Sequence, residues 1–192
     1  MKYFFLIIGL FSFYFAQAQF STNIYWTEQT AMPVSDVFYY NASRPLTWKD
    51  FKGQPDASNI RAAALTASGF GYKADFKNVG SKSDLNIKVY CYFNKNNSWV
   101  KEGKTTEYIL NHEQEHFNIS FIAASIFVEK LKAAGMTKSN FNSLLPGLYK
   151  ECCDIMNKLQ EDYDGQTKNG QLKDMQAKWD TYLKEKLKAI TK

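Results

Sequence analysis

Histidine is nearly absent from this 192-residue chain: His112 and His116 are the only two, and they stand four residues apart. Arginine is almost as scarce, with Arg44 and Arg61 alone, so the positive charge is lysine scattered among acidic residues. That pattern describes a solvated surface rather than the clustered Arg and Lys of a nucleic-acid-binding face, and no nucleic-acid partner is expected. Cysteine occurs at 91, 152 and 153 only, which lacks the spacing of a structural zinc site. Two states stay open for these thiols: one disulfide from Cys91 to either neighbour, or buried free thiols. Beyond the first twenty residues there is no long apolar run, which excludes a second candidate for a membrane-spanning helix. There is also no internal repeat, low-complexity tract or long linker, so residues 19–192 read as one domain.

The N-terminus has a different character. Lys2 precedes an apolar run from Tyr3 to Phe15, interrupted by Gly9 and Ser12, and Ala16-Gln17-Ala18 supplies a small-x-small cleavage pattern. Residues 1–18 are therefore expected to be a signal peptide, with the mature chain starting near Gln19. That implies a periplasmic or extracellular protein with no stable membrane insertion after cleavage. No cysteine ends the apolar run, which removes the usual route to a lipid anchor.

Periodicity predicts an α+β fold, an N-terminal antiparallel sheet followed by three helices. Residues 20–60 look irregular, punctuated by Pro33, Pro45 and Pro55. Ala62 to Phe76 and Asp84 to Phe93 read as strands, the second alternating with Leu85, Ile87, Val89, Cys91 and Phe93 on one side. Helices are expected over Thr106 to Ala134, ended by Gly135, over Ser139 to Gln160, and over Gln171 to Ile190.

The first helix holds the chemistry. His112-Glu113-Gln114-Glu115-His116 is an H-E-x-x-H run in which the two histidines, at i and i+4, share a face and can converge on one ion. Glu113, rotated by about 100° from His112, stands beside that ion rather than on it. There it can take a proton from an activated water and return it to a leaving amine. The competing reading is two satisfied core histidines with an incidental glutamate. The inward-facing, mid-helix setting favours a metal, Zn2+, since buried unpartnered imidazoles would be costly.

Four ordered blocks carry a family resemblance: Leu46-Thr47-Trp48-Lys49-Asp50-Phe51-Lys52-Gly53-Gln54-Pro55, Ser98-Trp99-Val100, Leu110 to Ile119 around the histidines, and Tyr163-Asp164-Gly165-Gln166-Thr167-Lys168-Asn169-Gly170 with Trp179 downstream. Together they span about residues 44 to 180 and resemble a bacterial secreted family, domain-of-unknown-function family 922, described as predicted secreted zinc-dependent proteases. The resemblance implies a zincin-like fold and a peptide or protein substrate. It also exposes a departure, because Asn169 stands where the family's last block has a histidine. A third ligand then falls to Asp164 first, to Glu161 second, and to Asn169 only as a weak neutral donor. Asp164 has a plainer reading as a turn residue before Gly165, and Tyr163 reads as a core tyrosine. The expected function is a secreted zinc-dependent hydrolase, most simply a metallopeptidase with Glu113 catalytic and His112, His116 and Asp164 on the metal. The alternative is a catalytically inactive zincin-fold protein that binds a cell-envelope partner, and Asn169 favours it. A hydrolase of another amide or ester bond is a third reading.

Overall fold

The computed structural model describes residues 19–30 and 32–190, and the signal-peptide expectation falls outside them. The architecture is α+β: a sheet layer with three helices after it. Strand β5 (Lys82–Asn94) is central, and its alternation is the core pattern read from sequence: Leu85, Ile87, Val89 and Phe93 are fully buried and Cys91 nearly so. β4 (Ser68–Val79) forms an antiparallel hairpin with β5 along its whole length.

The opposite edge of β5 corrects two expectations. The segment read as irregular contains β1 (Gln19–Trp26) and β2 (Val37–Tyr39), end to end on that edge. β1 runs parallel to β5, so the sheet is mixed rather than antiparallel. Its alternation is weak because every residue from Phe20 to Ile24 is half-buried, leaving no apolar and polar face to detect. β3 (Ala64–Leu65) and β6 (Trp99–Val100) make a separate two-residue ladder. Pro55 is exposed, whereas Phe51 packs against Phe93 with ring centroids 5.0 Å apart.

Helix α1 (Glu107–Ala133) begins where Thr106 caps it, its hydroxyl accepting from the Ile109 N–H. Phe117, Ala124, Phe127, Val128 and Leu131 face the sheet. Ile119 and Ile122 face a second, smaller core with Tyr163, Trp179 and Leu183. Helix α2 (Phe141–Thr167) extends seven residues past the expected end at Gln160, and α3 (Lys173–Ile190) follows a tight turn. The extension matters because it makes Asp164 a helical residue rather than a loop residue. Lys168 at φ 51°, Asn169 at φ 53° and Gly170 at φ 75° then reverse the chain in three consecutive left-handed conformations. No described helix is long and apolar enough to cross a membrane.

Candidate metal centre

His112 and His116 meet the last turn of α2 in a cleft of about 360 Å³, whose other walls are residues 62–66, Tyr108, Met156 and Asn157. Their Nε2 atoms lie 3.3 Å and 3.2 Å from Asp164 Oδ1. One ligating atom from each of the three residues lies within 4.8 Å of the others. Asp164 is carried there by α2, whose terminus is closed by the Lys168 and Asn169 N–H groups donating to the Asp164 carbonyl. The helix end that orients the carboxylate is thus sealed by the same residue's backbone.

The polar accounting is informative. Asp164 Oδ1 is buried, and two imidazole nitrogens converge on it at hydrogen-bonding distance. Burial opposes ionisation of Asp164, but the imidazoles outweigh it and hold the carboxyl below the usual carboxylate range. His116 responds in the opposite sense: burial works against its charged form, while Asp164 and Glu113 favour it and raise its pKa. A buried carboxylate oxygen at the point where two imidazole nitrogens converge is an arrangement a cation would satisfy. With zinc–ligand bonds of about 2.0–2.2 Å, ligand atoms at the tetrahedral angle sit roughly 3.4 Å apart, close to the two observed separations. Two imidazoles and a carboxylate are also an ordinary donor set for that ion.

Glu113 is the orphan here. It is 3 % exposed, and its Oε2 is buried with no partner. Burial raises its pKa, and the two histidines only partly counter this. It lines the same cleft, so its carboxylate borders the space beside the three ligand atoms.

Besides the Tyr163 ring, the histidines' immediate partners are polar. His112 Nδ1 is 2.9 Å from Gln176 Oε1, and His116 Nδ1 is hydrogen-bonded to Gln160 Oε1. Neither glutamine carries a motif signal, because each reaches its histidine across a separation of 64 or 44 residues. Of the other third-ligand candidates, Glu161 is exposed and outside the cleft lining, while Asn169 lines it. Tyr163 is fully buried, with its hydroxyl between the Gln176 amide and the His112 carbonyl, as a core tyrosine should be. Gly170 closes the back of the site: a Cβ there would meet His112 Cγ and Nδ1 at 3.2 Å. Cys91, Cys152 and Cys153 are all free thiols. A larger apolar groove, about 1350 Å³, lies between the three helices but contains none of these residues, so size does not identify the site.

In comparisons with known proteins, no family model, no curated protein and no solved structure matches this chain.

Proposed function

We propose that the protein is an exported zinc-dependent hydrolase of peptide bonds, with a zincin-like arrangement of the kind the four sequence blocks resemble. One observation carries the reading: the buried Asp164 Oδ1 meets both Nε2 atoms at 3.2–3.3 Å, beside a buried and unpartnered Glu113 carboxylate oxygen. His112, His116 and Asp164 would hold the metal. Zinc bound there supplies a Lewis acid that acidifies water and polarises a carbonyl.

The chain's own residues do the rest. Glu113 stands beside the ligand atoms, and its raised proton affinity suits a group that accepts a proton from water and passes it to a leaving amine. Strand β3 borders the cleft. Ala63 O accepts from Lys101 N, so ladder alternation turns the N–H and C=O of Ala64 away from β6. An extended peptide could add to that edge and lie across the site. With Asp164 as third ligand a histidine at position 169 would be dispensable, which weakens the argument from Asn169 for an inactive binding protein.

The test compares wild type with Glu113→Gln for zinc content and for cleavage of a library of unstructured peptides. Stoichiometric zinc in both is expected, with hydrolysis falling about 100- to 10,000-fold in the variant. Wild-type protein that is zinc-free when prepared without chelators overturns the metal site. Zinc-loaded wild type that cleaves no peptide leaves the binding-module alternative.

A further inference from the structure

The two glutamines behind the histidines do something more specific than fill space. Glutamine has an acceptor end and a donor end, and which end faces the histidine follows from its other partners. Gln176 Nε2 is 2.7 Å from Asp180 Oδ1 and 2.6 Å from the Tyr163 hydroxyl. A carboxylate only accepts, so the amide NH2 must face Asp180, and Oε1 must face His112 Nδ1. Asp180 is itself held by the Asn111 amide, which donates to both of its oxygens at 3.1 Å and 3.2 Å. Gln160 shows the same logic with a different anchor. Its Nε2 donates to the His116 backbone carbonyl at 2.9 Å, another acceptor-only group, which leaves Oε1 toward His116 Nδ1. Both imidazoles therefore meet an acceptor at Nδ1 and must donate there.

We infer that Gln160 and Gln176 are a matched pair of positioning residues that hold both histidines as the Nδ1–H tautomer and present both Nε2 lone pairs to one point. Free histidine favours the other tautomer, so the selection is imposed by the fold. One anchor comes from α2 and the other from α3, which means that the cleft is set for a cation only when both helices are docked on α1. Each glutamine is neutral. It orients its histidine without adding negative charge behind it, whereas a carboxylate there would make the imidazole a stronger donor. The carboxylate behind His112, Asp180, is thus held one residue further out, with the Gln176 amide between it and the ring.

The functional meaning rests on the zinc reading above, but the tautomer does not, and the experiment separates the two. With only two histidines in the chain, a two-bond nitrogen–proton NMR spectrum of the metal-free full chain at mildly alkaline pH contains two imidazole systems. The expected wild-type result is a protonated Nδ1 in both, whether or not Nε2 also carries a proton toward Asp164. Gln176→Leu should move His112 alone toward the Nε2–H form, and Gln160→Leu should move His116 alone. Gln160→Glu, which keeps an acceptor, should retain the wild-type tautomer at His116. Each leucine variant should also weaken zinc about 10- to 100-fold in chelator competition, as loss of an outer partner does. A bare Nδ1 on either histidine in the wild type overturns the inference, as do leucine variants with unchanged spectra. If a leucine variant fails to fold, the wild-type spectrum and the glutamate variant still decide. The expected spectrum in a protein that binds no zinc upholds the tautomer assignment while the metallopeptidase reading falls.

Discussion

The two faces of α1 are built on different principles. Toward the sheet, Phe117, Ala124, Phe127, Val128 and Leu131 are packed by non-directional apolar contact, with Phe127 ringed by Phe70, Tyr72 and Tyr149 at centroid distances of 5.6 to 5.9 Å. Toward α2 and α3 the same helix presents His112 and His116, whose partners are fixed one atom at a time by Gln176, Gln160 and Asp164. Apolar burial tolerates small displacements because its energy scales with area. A ligand set does not, because each lone pair must point at one place. The sheet face should therefore govern stability, and the helix face should govern affinity.

The largest effect should come from breaking the sheet face. Phe127→Ala removes a fully buried ring and should lower unfolding free energy by about 3–5 kcal/mol in urea titrations. Zinc affinity of the folded fraction should be unchanged, and an equal loss there would dissolve the distinction between the faces. Next is Asp164→Ala, which should weaken zinc more than the ~100-fold that an outer partner commands. In wild type, zinc at 100 times its Kd should add about 2.7 kcal/mol of stability. That corresponds to a rise of roughly 5–11 °C in Tm, reversed by a chelator and missing in the Asp164 variant.

Glycines sharpen the contrast at smaller scale. Gly170→Ala faces both a positive φ and a close approach to the His112 ring, and should lose about 1–3 kcal/mol together with zinc affinity. Gly80→Ala also has positive φ but nothing within 4 Å, so its loss of about 1–2 kcal/mol should leave zinc binding alone. The smallest effect concerns the thiols. Burial pushes Cys91 well above the ordinary thiol range and Cys152 up to about 11, while Cys153 is partly exposed. Alkylation of the native protein, followed by mass spectrometry, should mark Cys153 first and the other two only on unfolding.

Much of the fold was legible where one face is wet and the other dry. β5 announced itself because Leu85 to Phe93 alternate strictly, and α1 because its apolar stripes repeat at helical spacing. β1 was not legible, since its residues are half-buried on both sides, and its parallel pairing with β5 joins residues 63 apart in the chain. The end of α2 was missed for a related reason. Asp164-Gly165 resembles a turn, yet Tyr163 and Thr167, both fully buried, hold those positions in the helix.

For the candidate site, local order in the chain was sufficient to nominate His112, Glu113 and His116, because one helical turn fixes their mutual geometry whatever surrounds them. It also nominated Asp164, although by block resemblance and charge rather than by geometry. Tertiary structure alone decided that Asp164 reaches the histidines while Glu161 does not, and that two glutamines stand behind the imidazoles. The reason is physical: periodicity encodes which face of an element is buried, but the partner that meets that face is chosen by how separate elements dock. That choice depends on atoms far apart in the chain.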